Sequence, residues 1–303
     1  MNRIAPASHK DHVGSWRRCY AIFITAFTAL LLSPVTFAEP AMWVVRDADS
    51  TIYFIGTAHL LRHGMEWKSP KIDKALADSS ELWLEVPDPE NEAALLPLIQ
   101  RYGMDNKKPL SQKLSAVQNE KLARAATEYS IPKENLEPMQ PWLVGMMFSA
   151  LPLQKAGYDP HAGVDLILQG EAKNKGEKIL GFETMEEQVR FLAELPESDQ
   201  IAFLDNTLDD VAEGIAKVEK LASAWVNGDN AAIADLLVTE VKAKTPVLYQ
   251  KLIVDRNARW AEKIETILRS SGVQLIAVGA AHLVGPDSVQ TQLAKRGIKV
   301  EPY

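Results

Sequence analysis

Two tetrads at opposite ends of the chain constrain its fold more than any other feature: Gly56-Thr57-Ala58-His59 and Gly279-Ala280-Ala281-His282. Each follows an apolar run, at 51–55 and 274–278, and each is followed by leucine, Leu60 or Leu283. Short apolar runs bounded by glycine read as buried strands. A Gly-x-x-His after such a strand places an imidazole just beyond its carboxyl end. The chain has 6 histidines, and His9 and His12 belong to the N-terminal segment. Two of the remaining four therefore stand in matched settings. They are far apart in sequence, so only a fold with the two strands side by side can aim both rings at one ligand.

The other strands give a frame for that arrangement. Pro70 after Ser69 suits the start of a helix with Ile72, Ala75 and Leu76 on one face. Residues 81–86 then read as a strand stopped by Pro87. At the other end, strand 273–279 is followed by a helix opened by Pro286, closed by Gly297, and a last strand at 298–301. Strand–helix–strand units favour parallel pairing. Residues 178–183 read as a further strand of the same type. Most of the chain between is helical: 92–102, a helix capped by Ser115 and running to about Tyr129, one opened by Pro141, one from Gly163 that Gly176 breaks, and nearly all of 186–271. In the last, Asp255 is expected to cap a helix whose buried stripe is Trp260, Ile264, Ile267 and Leu268. The pair Met146 and Met147 reads as core filling. The expected class is α/β: a central, mostly parallel sheet built from two strand–helix–strand units, with a large helical insertion.

The N-terminus reads as an export signal. Arg17 and Arg18 precede an apolar stretch at 21–32, and Thr36-Phe37-Ala38 suits cleavage after Ala38. The apolar stretch is shorter than the roughly 20 residues of a spanning helix; an uncleaved membrane anchor is the alternative reading. Residues 1–38 are thus expected to be a signal peptide and 39–303 one domain, periplasmic or secreted. The one cysteine, Cys19, lies in the signal, so disulfide and thiol chemistry are not expected in the mature protein. A net charge of -7 argues against a nucleic-acid surface. No phosphate loop, no Gly-x-Ser-x-Gly elbow and no cysteine pair is present.

Ligands of open parallel sheets bind at the carboxyl ends of the strands. His59, Glu85, Glu183 and His282 all end expected strands. Two imidazoles with one or two carboxylates suit a divalent transition metal, which would activate water and polarise a carbonyl. His59, His282 and Glu85 are the expected metal ligands. Glu85 is also a candidate base, Glu183 a further ligand or an acceptor behind one, and Arg256 a group that steadies substrate or a developing anion. His63, four residues after His59, is an accessory candidate in a loop, and His161 reads as a surface group. Asp165 and Gln188 stay open between structural and functional roles.

The ordered series of 55–60, Leu84-Glu85, Gly163-Val164-Asp165, Leu180-Gly181-Phe182-Glu183-Thr184 with Gln188, Asp255-Arg256-Asn257 and 278–285 resembles the TraB/GumN family, related to the Tiki metalloproteases. The resemblance implies a fold related to the erythromycin-esterase and ChaN-like groups. It implies a site formed by the two Gly-x-x-His histidines and Glu85, manganese or cobalt as the metal with zinc as a further option, and Arg256 as the family's arginine. Pro87 stands where the resemblance leads one to expect a second acid. The function implied is an exported metal-dependent hydrolase, a peptidase acting on a peptide or small-molecule substrate. A non-catalytic metal, haem or peptide binding or sequestering protein on the same fold is the alternative; no tyrosine is placed as a haem ligand.

Overall fold

The computed structural model describes residues 39–210 and 214–303. The expected signal peptide, 1–38, lies outside the described residues. Residues Glu39–Tyr303 form one compact unit. Its strands are β1 (Met42–Arg46), β2 (Ser50–Thr57), β3 (Leu61–Arg62), β4 (Glu81–Leu84), β5 (Tyr158–Asp159), β6 (Lys178–Gly181), β7 (Gly272–Gly279) and β8 (Glu301–Pro302). Six of them make a sheet in the order β6-β4-β7-β2-β1-β8. The first four are mutually parallel, while β1 runs antiparallel to both β2 and β8. The class is α/β with a mostly parallel central sheet.

The strands alternate between two apolar layers, as period-two side-chain geometry requires. Tyr53, Ile55, Leu82, Leu84, Leu275 and Ala277 face one layer. Ile52, Phe54, Trp83, Ile276 and Val278 face the other. Helices α1 (Pro70–Asp78), α3 (Val164–Lys175) and α4 (Gly214–Val226) cover the first face, and α5 (Asp255–Leu268) and α6 (Val289–Lys295) the second. α2 (Pro141–Lys155) belongs to a helical region with apolar clusters of its own, around Phe148, Leu204, Trp142 and Leu248. Among the described residues no helix is long and apolar enough to cross a membrane.

Local chemistry explains most boundaries. Ser69 caps α1 with Pro70 at its first position. Ser115 and Gln118 form a reciprocal capping box. Gly176 ends α3 with φ +71°, a left-handed conformation that suits glycine. Four expectations need correction. Asp255 does not cap a helix: α5 continues from a π-helical turn at Gln250–Val254, and the Asp255 carboxylate accepts from the Gln250 side chain. Pro286 does not open α6, because Ser288 accepts from the Thr291 amide and defines the start. The last strand is confined to Glu301–Pro302 and lies at the far edge against β1, a strand whose hairpin with β2 was not expected. Finally, Met146 is 45% exposed; only Met147 packs against the core.

Candidate functional site

The parallel register of β2 and β7 decides how the two tetrads meet. Gly56 pairs with Val278 and Thr57 with Gly279, so the matched motifs are staggered by one residue. The chain then diverges: Ala280–Leu283 winds into a 3-10 turn that buries His282, while His59 continues into an open loop. The side chain of His59 is 60% exposed and that of His282 only 5%. Glu85 follows β4, the strand on the other side of β7, and Glu183 follows β6.

Gly279 sits at the centre of this group. A methyl group built on it would stand 3.0 Å from Glu85 Oε1, 3.6 Å from His59 Nε2 and 3.7 Å from His282 Cδ2. Gly56 is also needed for space, since a methyl group there would stand 3.0 Å from the Ala280 Cα. Neither glycine has positive φ. The close approach of two strand ends, and not a sharp turn, accounts for both.

Each histidine is oriented through Nδ1 by a different partner. His59 Nδ1 lies 2.7 Å from Asp165 Oδ2, and Thr57 Oγ1 donates to the other carboxylate oxygen at 2.5 Å. Asn257 directs both amide hydrogens away, to the carbonyls of His282 and Asp287, so its Oδ1 accepts from His282 Nδ1 at 2.6 Å. That leaves His282 Nε2 as an acceptor, and Arg256 Nη1 faces it at 3.1 Å. The Asp165 charge pushes His59 up to about 9, against a smaller opposing effect of burial. Burial pushes His282 down to about 3, with Glu85 acting the other way. Matched in sequence, the two rings are opposite in charge preference.

Glu85 is held on both oxygens. Oε1 accepts from the Gly279 amide at 2.8 Å; Oε2 accepts from Arg256 Nη2 at 2.6 Å and Gln188 Nε2 at 3.1 Å. Burial alone would raise its carboxyl, but Arg256, His282, His59 and the Gly279 amide hold it far below the usual carboxylate range. Glu183 is turned to the protein. It takes Arg256 Nε and Nη2 and the Trp260 indole, and so anchors the guanidinium. Arg256 is 6% exposed and lies over the Trp260 ring. His63 bonds Asp159 and His161 bonds Glu90, both on the surface.

Asp165, Asn257, Thr57 and Gln188 complete the arrangement. Asp165 and Gln188 were left open by sequence, and Asn257 and Thr57 carried no assigned role. The neighbouring Gly163 is a further trace of the site: a methyl group there would collide with the carbonyl oxygens of His59 and Pro160. His59 and Glu85 line two cavities. One, of about 370 Å³, has apolar walls from α4 and from two π-helical turns, Asp235–Thr239 and Gln250–Val254, with Arg256 and His282 at its floor. The other, of about 570 Å³, includes Glu90, Glu92, Asp165 and Gln188.

An uncharacterized protein of Treponema pallidum (strain Nichols) is 22% identical over 293 residues, covering 90% of this chain and 87% of that protein. No solved structure matches. The TraB/PrgY/gumN family profile matches residues 41–302, which include every residue of the site just described. The chain belongs to the TraB/PrgY/gumN family.

Proposed function

We propose that this protein is an exported, metal-dependent hydrolase of acyl bonds, a peptidase in the type of bond it cleaves. The observation that carries the reading is the convergence of His59, His282 and Glu85 around Gly279 at the floor of a cavity. An architectural kinship with the erythromycin-esterase and ChaN-like groups belongs to the same proposal.

The donor chemistry fits a divalent ion. Both imidazoles are tied through Nδ1 to an oxygen of a second residue, the usual support of metal-binding histidines. Glu85 contributes an anionic oxygen. Two features oppose binding: Asp165 keeps His59 protonated at neutral pH, and Arg256 Nη1 faces His282 Nε2 at 3.1 Å. Among the described residues no group of three or more His, Cys, Asp or Glu side chains stands at metal-binding spacing. Holding an ion would therefore require the guanidinium to leave His282 and His59 to release its proton. Manganese, cobalt or zinc in that place supplies Lewis acidity toward a carbonyl and lowers the pKa of water.

The protein's own groups have separable tasks in this reading. His59, His282 and Glu85 hold the ion. Asp165 and Asn257 keep each ring turned so that Nε2 faces the centre. Arg256, anchored by Glu183 and Trp260, presents N–H groups to negative charge developing on a carbonyl oxygen. Glu85 suits holding better than proton transfer, because both its oxygens are bonded and its affinity for protons is low.

That last point also favours the alternative, a non-catalytic metal, haem or peptide binding protein. Metal content and peptide cleavage, measured on the wild type and on a His59→Ala/His282→Ala double variant, decide the matter. Stoichiometric metal retained by the double variant defeats the site. Metal bound by the wild type with no cleavage of any peptide or acyl ester leaves the carrier reading.

A further inference from the structure

Gln188 stands at a place in its helix that its residue type does not suit. Helix Met185–Ala193 opens on a reciprocal capping box between Thr184 and Glu187. Such a cap brings the residue before it against the fourth helical residue, and that pair is often apolar and packed together where the chain enters the helix. Here the two positions hold Glu183 and Gln188. A polar pair forgoes that packing. The Gln188 amide meets carboxylates instead: Nε2 lies 3.1 Å from Glu85 Oε2 and 3.5 Å from Glu183 Oε2. Only the NH2 end of an amide suits a place that faces two carboxylate oxygens.

Arg256 Nη2 reaches the same two oxygens, at 2.6 Å and 2.8 Å. Gln188 thus duplicates a contact of Arg256, from the side that lines the cavity of about 570 Å³. With Arg256 in place the duplicate is redundant. It ceases to be so once an ion is held. The guanidinium is planar and rigid, so drawing Nη1 off His282 also turns Nη2 at Glu85. The Gln188 amide has no bond to His282 to give up and can stay on Glu85. Glu85 Oε1 accepts from the Gly279 amide at 2.8 Å and stands 3.8 Å from His282 Nε2. A carboxylate oxygen has two lone pairs, so Oε1 keeps one for an ion.

We propose that Gln188 is a positioning residue: it holds Oε2 of Glu85, so that Oε1 stays turned to His59 and His282 when Arg256 moves. The proposal rests on the metal-binding part of the hydrolase reading and is indifferent to the bond that is cleaved.

The test is titration of metal-free protein with Mn²⁺ and with Co²⁺, beside urea denaturation of the same samples. Gln188→Met keeps the length of the side chain and removes its donors; Gln188→Ala removes the side chain. Both are expected to bind either ion at least about tenfold more weakly, as when other groups that orient metal ligands are lost. The visible bands of the Co²⁺ form are expected to shift, since a carboxylate free to turn alters the ligand field. The urea midpoint of the metal-free protein is expected to stay where it is, because Arg256 and Gly279 still serve Glu85. Unchanged affinity and unchanged bands in both variants overturn the role of Gln188 and leave the metal reading intact. Weaker binding with a lowered urea midpoint in both overturns it as well, since lost packing then explains the effect. Failure of the wild type to bind either ion defeats the metal reading, and this proposal with it.

Discussion

Arg256 donates from Nη2 to Glu85 Oε2 at 2.6 Å, and both side chains are withdrawn from solvent. The same guanidinium is fixed by Glu183 and faces His282, so one cation organises three of the four groups that end the strands. This places Arg256 ahead of the histidines as the residue on which the site's stability depends.

Replacing Arg256 with alanine leaves Glu85 and Glu183 buried without their counter-charge. Breaking a buried ion pair from one side costs about 3–5 kcal/mol. Urea denaturation of Arg256→Ala is expected to show a loss of that order. Arg256→Lys keeps the charge but not the planar fork that reaches both carboxylates, and is expected to recover only part of it.

The two histidines are expected to titrate at opposite ends of the pH scale. In metal-free protein, the His59 ring signal in NMR should move near pH 9 and that of His282 should not move above about pH 4. Asp165→Asn removes the charge that raises His59 and should bring it back toward its ordinary value of 6.5. Because the folded pKa is raised, the pair contributes stability that is fully present below 6.5 and is lost as pH rises through about 9. The exposure of His59 keeps that contribution modest. Metal binding at neutral pH is expected to release a proton from His59, read by calorimetry in buffers of different ionisation heat.

Gly279→Ala is a probe of the site that leaves the fold largely intact. The added methyl would press on Glu85 Oε1, which the Gly279 amide and Arg256 prevent from turning away. Metal affinity measured by titration is expected to fall about 10–100-fold, the range seen when groups that orient metal ligands are disturbed. Unchanged affinity would place the ion elsewhere.

Trp225→Phe removes the indole N–H from the buried Gly56 carbonyl and also leaves space in the core where the larger indole stood. A buried acceptor left without its donor costs about 1–3 kcal/mol. A loss of stability of at least that order is expected in urea denaturation, with the cavity adding to it; an unchanged stability would show that the indole N–H does not support the end of β2.

Much of the frame could be read from residue pattern. The four parallel strands, the capping box at Ser115 and the left-handed Gly176 are local features, each set by side-chain period or backbone conformation within a few residues. The hairpin of β1 with β2 was missed because the connection Asp47-Ala48-Asp49 carries no glycine or proline to mark a turn, although Pro40 bounds the start of the strand. The π-helical turn before α5 was missed because Asp255 has the residue type of a cap, and only long-range packing keeps it inside a helix.

Sequence alone determined which residues end the strands, and hence that His59, Glu85, Glu183 and His282 would gather at one edge of the sheet. Only the tertiary structure decided what each could do there. The β2–β7 register staggers the tetrads, and the partners of each ring come from distant helices: Asp165 from α3 for His59, and Asn257 from α5 for His282. Proton affinity depends on burial and neighbouring charge, and neither is a property of the Gly-x-x-His motif that the two histidines share.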